Sequence, residues 1–131
     1  MPREPYTGTF PCLRGRLAPT VLVVDDVDFV RTLLTRQLKE DGYEVLEAAN
    51  GKEALVILGA PEVKVSLMVT DLRMPEMDGQ ELGSAVGDLP VPPKVLYMSA
   101  YPPPQGLSEF FLQKPFTREH LRGAVEKALS S

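Results

Sequence analysis

Apolar residues fall in short bursts along the chain, and their period changes from burst to burst. "TVLVV" (20–24) is apolar at nearly every position and β-branched, the pattern of a strand buried on both faces. From 28 to 40 the apolar residues Phe29, Leu33, Leu34 and Leu38 recur at helical spacing, with Asp28 placed as an N-cap and Gly42 as the stop. "YEVLEA" (43–48) alternates as a strand does, and 50–59 reads as a short helix opened by Asn50 and closed by Gly59. "KVSLMVT" (64–70) is a third strand. The helix over 79–89 is weakened by Gly83 and Gly87. "KVLYMS" (94–99) and "EFFLQ" (109–113) supply two more strands. The segment 117–130 closes the chain as an amphipathic helix with Leu121, Val125, Ala128 and Leu129 inward.

Strands alternating with helices call for parallel pairing through right-handed crossovers. Five of them predict an α/β fold, an open doubly wound five-stranded parallel sheet with helices on both faces. In such sheets the functional crevice lies at the carboxyl ends of the strands, where strand order reverses. The polar residues that interrupt the apolar pattern sit at those ends: Asp25 and Asp26, Asp71, Ser99, and Lys114. Residues 1–19, with four prolines, three arginines and no steady period, read as a Pro-rich arm or linker ahead of a domain over 20–131.

Composition narrows the function. The 131 residues suit one domain, and a net charge of −4 argues against a basic nucleic-acid footprint. No apolar run approaches the ~20 residues that cross a bilayer, and the N-terminus lacks the apolar core of a signal peptide. A single cysteine, Cys12, fits a reducing compartment, so a cytoplasmic location is expected with neither nucleic acid nor membrane insertion. Cys12 itself, His120 on the polar side of the last helix, and Met74 and Met77 in a loop carry no chemistry in this reading.

Four segments, "VLVVDDVDFVRTLL", "VTDLRMPEMDG", "VLYMSA" and "FLQKPF", resemble in order the signature stretches of the response-regulator receiver domain, over residues 20–130. The resemblance implies a flavodoxin-like strand order 2-1-3-4-5, which brings Asp25, Asp26 and Asp71 into one pocket. Crowded carboxylates resist ionising together unless a cation joins them, and hard oxygen donors suit Mg²⁺. By resemblance Asp26, Asp71 and the carbonyl of Arg73 would bind Mg directly and Asp25 through water. Asp71 would be the phosphoacceptor, assisted by Lys114 and Ser99. Ser99 and Phe111 would form the switch, and Arg73 and Tyr101 would tune dephosphorylation. The bulk of those two predicts a slowly hydrolysing aspartyl-phosphate. The resemblance also implies a cis Lys114–Pro115 bond. Pro75 and Gly79 are expected to hold the loop after Asp71 stiff, keeping the Arg73 carbonyl aimed.

The function implied is a phosphoacceptor domain of a two-component phosphorelay, not an enzyme in the ordinary sense. Its donor would be a histidine kinase or phosphotransfer protein, its output target is unknown, and a homodimer is possible. The run "LYMSAYPPP…FLQKPFT" is similar to receivers of hybrid sensor histidine kinases, which would make the arm a connecting linker; a free-standing regulator is the alternative. Two further readings compete. Asp26-Val27-Asp28 has the spacing of a haloacid-dehalogenase-like phosphohydrolase, with Asp26 as nucleophile and Asp28 as acid, but that leaves Asp71 without a role. A degenerate receiver acting only as an interaction module is the other.

The chain departs from the family between Ser99 and Lys114, where "AYPPPQGLSEFFLQ" is short by roughly two helical turns. Pro102, Pro103 and Pro104 oppose a helix there, so the helix usual between the fourth and fifth strands is expected to be shortened or absent. Its loss would bare apolar surface for the arm (Phe10, Leu13, Leu17), a second copy or another protein to cover.

Overall fold

The computed structural model describes residues 18–105, 107 and 110–131. Five parallel strands, β1 (Thr20–Val24), β2 (Glu44–Ala48), β3 (Leu67–Asp71), β4 (Lys94–Ser99) and β5 (Phe110–Gln113), form a sheet ordered β2-β1-β3-β4-β5. The helices are α1 (Asp28–Glu40), α2 (Gly51–Gly59), α3 (Gly79–Gly87) and α4 (Arg118–Leu129). This is the flavodoxin-like order expected, and the chain reverses direction across the sheet between β1 and β3.

The continuous apolar runs of β1 and β3 follow from burial on both faces. Val21 and Val23 join Leu67, Val69, Leu96 and Met98 in a core closed by Leu34 and Leu38 of α1 and Leu121, Val125 and Ala128 of α4. Leu22, Val24 and Met68 face the other way, under Ala54 of α2 and Leu82 and Val86 of α3. The inward set of α4 is the one predicted, with Leu129 partly buried.

On α1 the expectation needs correcting. Its buried residues are Leu34, Thr35 and Leu38, with Val30 packed beside them, whereas Phe29 is 76% exposed and Leu33 lies out with it. Spacing alone admits two stripes about 100° apart, and the stripe through Val30, Leu34 and Leu38 is the one that meets β1 and β2. Asp28 is not the N-cap either. Val27 occupies that position without a side-chain cap, and Asp28 opens the helix with its carboxylate 2.6 Å from the Arg31 guanidinium. Asn50 does cap α2, accepting from the Glu53 N–H at 2.9 Å. At the far end of α1, the buried carboxylate of Asp41 meets Arg122 at 3.0 Å and Arg118 at 3.6 Å, tying α1 to α4.

Among the described residues between β4 and β5 there is no helix, as the prolines required. The sheet face beneath is not stripped, however. Tyr97 is buried because Gly83 of α3 lies over it, and a Cβ at 83 would collide with the tyrosine hydroxyl. The glycine read as a weakness of α3 is therefore what lets that helix seat on β4. The arm, with Phe10, Leu13, Leu17 and Cys12, lies outside the described residues apart from its last two. Among the described residues no helix is long and apolar enough to cross a membrane.

Candidate functional site

Because β1 and β3 are neighbours and Val24 is in register with Thr70, Asp25 just past β1 and Asp71 at the end of β3 emerge side by side. One carboxylate oxygen from each of Asp25, Asp26 and Asp71 can be chosen so that all lie within 4.8 Å of one another. The three differ in exposure: Asp25 is fully buried, Asp71 partly buried, and Asp26 open to solvent. Lys114, following β5, reaches across β4 and places Nζ 3.3 Å from Asp71 Oδ2 and 3.6 Å from Asp25 Oδ2. The Lys114–Pro115 bond is cis, as expected.

Burial pushes the Asp25 carboxyl above the ordinary aspartate range; the Val27 N–H and Lys114 pull it back, while Asp71 and Asp26 add to the rise. Its Oδ1 accepts the Val27 N–H at 2.9 Å, but buried Oδ2 has no hydrogen-bond partner. A buried carboxylate oxygen that accepts no hydrogen bond is costly, and an ammonium 3.6 Å away offsets only part of that cost. One ammonium against three carboxylates also leaves the pocket negative. Both facts fit a small hard cation at this point, and all available donors are oxygens.

Arg31 is the residue that sequence reasoning missed. From the second turn of α1 its Nη1 donates to the Asp25 carbonyl at 2.6 Å, its Nη2 to Asp28 Oδ1 at 2.6 Å, and its Nε lies 3.4 Å from Glu47 of β2. Burial works against its charge, but Asp28 and Glu47 outweigh that and hold its pKa above the usual arginine value. The i, i+3 spacing from Asp28 was a readable signal; the contacts to the β1 carbonyl and to β2 are tertiary and were not.

The loop after Asp71 is held more firmly than its proline alone implied. The Met77 N–H donates to the Pro75 carbonyl at 2.7 Å around Glu76, whose φ is 71°, a γ-turn on the left-handed side of the map. Gly79 serves close approach and not dihedral freedom: its φ is not positive, and a Cβ there would strike the Asp71 carbonyl oxygen and come within 2.8 Å of Leu72 Cα. Met74 and Met77 pack into the core beneath α2 and α3, so they are packing residues as read. Asp71 Oδ1 accepts the Arg73 N–H at 3.2 Å. Asp78 caps α3 in a reciprocal capping box with Glu81.

Ser99 ends β4, nearly buried, and its Oγ accepts the Tyr101 N–H at 3.1 Å. The Arg73 guanidinium stacks 4.1 Å above the Tyr101 ring, joining the β3–α3 loop to the β4–β5 link. Between these two segments a cavity of about 480 Å³ opens, bounded by Arg73, Met74 and Pro75 on one side and Tyr101, Pro102 and Pro104 on the other. Phe111 is half-buried in β5, in register with Tyr97. His120 is exposed and closes the capping box of α4 with Thr117. Asp28 faces Arg31 at the surface, outside the acidic trio, so the hydrolase reading loses its general acid.

A family model described as the response regulator receiver domain matches residues 21–126. The chain is 37% identical over 117 residues to the sensor kinase CckA of Brucella abortus, covering 84% of this chain but only 12% of that protein. It is 35% identical to the chemotaxis protein CheY of Listeria monocytogenes, covering 82% of this chain and 96% of CheY. Among solved structures it resembles the receiver domain of a hybrid histidine kinase CckA, with 34% identity and a TM-score of 0.74 over 84% of this chain and 98% of the other. It also resembles the response regulator TrrA of Thermotoga maritima, solved with Mg²⁺ and BeF, with 29% identity and a TM-score of 0.76 over 85% and 99%. Sheet order, the acidic strand ends and the sequence match agree: this chain belongs to the response regulator receiver domain family of two-component signalling.

Proposed function

We propose that Asp71 accepts a phosphoryl group from the phosphohistidine of a histidine kinase or phosphotransfer protein, and that the modified domain changes its affinity for an output partner. The observation that carries this reading is Asp71 itself, a partly buried carboxylate at a strand tip with Lys114 Nζ 3.3 Å away and two further carboxylates beside it. Asp26, Asp71 and the Arg73 carbonyl would hold Mg²⁺, with Asp25 acting through water. Bound there, the ion would neutralise negative charge on the carboxylates and on phosphoryl oxygens.

The chain's own residues do the rest. Asp71 contributes the oxygen that bonds to phosphorus as the donor's P–N bond breaks; that electron pair stays on the imidazole nitrogen, which takes up a proton. The Arg73 N–H on Asp71 Oδ1 fixes the carboxylate plane. Lys114 neutralises a phosphoryl oxygen, and the Ser99 hydroxyl, which accepts from the Tyr101 N–H through a lone pair, is free to donate its own hydrogen to another. Ser99 and Phe111, on the face of the sheet that carries Tyr97, would relay the change. The TrrA complex with Mg²⁺ and BeF is support from a relative for the same chemistry.

Residues 1–19 are proposed as a linker and 20–131 as the receiver domain. The match to a short part of CckA supports a receiver joined to a sensor kinase; the match across almost all of CheY keeps a free-standing regulator as the second reading. The test is intact-mass spectrometry after acetyl phosphate with Mg²⁺. Wild type should gain a single phosphoryl adduct and Asp71→Asn none; equal labelling of the variant would refute the assignment.

A further inference from the structure

Asp26 reaches the acidic pocket from the turn between β1 and α1, and among the described residues no hydrogen bond to its own side chain holds it there. The turn itself is held from behind. The Asp25 N–H donates to the Ala48 carbonyl at 3.2 Å, and the Asp25 carbonyl accepts from Arg31 Nη1 at 2.6 Å. The second of these bonds fixes the peptide unit that joins Asp25 to Asp26, and with it the direction in which the Asp26 side chain leaves the backbone. Arg31 is itself held by Asp28 on α1 and Glu47 on β2, and its side chain is only 15% exposed. A guanidinium is a rigid planar fork whose separate nitrogens can span three acceptors set apart from one another, whereas a lysine's three donors share one nitrogen.

We propose that Arg31 is a positioning residue for the metal pocket, locking the Asp25–Asp26 peptide so that the Asp26 carboxylate faces Asp71. The inference rests on the Mg²⁺ reading above. It makes a prediction opposite in sign to simple electrostatics. Removing a positive charge near a cation site strengthens cation binding if charge is all that matters. Removing the clamp weakens it if the peptide is released, by about tenfold or more, the loss typical when a partner that orients a metal ligand is deleted.

The experiment is Mg²⁺ affinity by titration calorimetry on the full chain, for wild type, Arg31→Gln, Arg31→Lys and, as a control, Arg122→Gln. Arg122 makes a comparable contact to Asp41 at the other end of α1, 3.0 Å long. The expected result is a tenfold or greater loss for Arg31→Gln, a smaller but clear loss for Arg31→Lys, which keeps charge without the fork, and wild-type affinity for Arg122→Gln. Unchanged or tighter binding by Arg31→Gln overturns the proposal while leaving the metal reading intact. If Arg31→Gln does not fold, Arg31→Lys decides, and wild-type affinity there overturns it. A similar loss in Arg122→Gln reduces the effect to general destabilisation and overturns it too. Wild type that binds no Mg²⁺ removes the metal reading, and this inference with it.

Discussion

At the scale of single residues, the unusual feature is a buried aspartate whose Oδ2 accepts no hydrogen bond and has only the Lys114 ammonium, 3.6 Å away, to face. Asp25 carries a raised pKa because burial penalises its charge, with the neighbouring Asp71 and Asp26 adding to what Val27 and Lys114 relieve. The consequence for stability has a definite sign. With the folded value above the unfolded one, folding retains a proton that the unfolded chain releases first. The contribution is complete below the ordinary aspartate range and is lost as the pH rises through the raised folded value. Without metal, the wild-type domain should therefore lose stability over that rise, and Asp25→Asn should unfold at a higher temperature than wild type at neutral pH. Thermal melts across the acid range check this; a variant less stable than wild type at neutral pH and at acid pH alike would contradict it. Sequence alone put Asp25 at the strand end, but its neighbour Asp26 has the same one-dimensional context. Only the register of β1 against β3 separates the buried member of the pair from the exposed one.

At the scale of elements, strands were the more legible part. The continuous apolar runs of β1 and β3, fed by helices on both sides, left little choice of arrangement, and the observed strands match to within a few residues. Helix faces were harder to read. Phe29 and Leu33 fit an apolar stripe as well as Val30 and Leu34 do, and only packing on the sheet selects between them. The shortened β4–β5 link was readable from its prolines. What the link does was not, since the stacking of Arg73 on Tyr101 joins two loops 28 residues apart in sequence (101 less 73). That pair ties the loop that follows Asp71 to the link that follows Ser99, and a cation–π contact at an exposed site is worth about 0.5–1 kcal/mol. If it slows water, truncating both residues to alanine should shorten the lifetime of the aspartyl-phosphate several-fold, as followed by loss of the phosphoryl mass over time. An unchanged lifetime would rule out that role.

At the scale of the whole molecule, a hydrophobic sheet sandwiched between α1 and α4 on one side and α2 and α3 on the other brings four charged residues from three strand ends together. No single segment specified that pocket; parallel strand order did. The most direct measurement is to locate the phosphoryl group chemically. After acetyl phosphate with Mg²⁺, borohydride reduces an acyl-phosphate to an alcohol, so a phosphorylated aspartate becomes homoserine, which peptide mass spectrometry can place. The assignment of Asp71 as phosphoacceptor requires homoserine at position 71 alone, and only when Mg²⁺ was present. Homoserine at position 26, or none at 71 despite Mg²⁺, would contradict it.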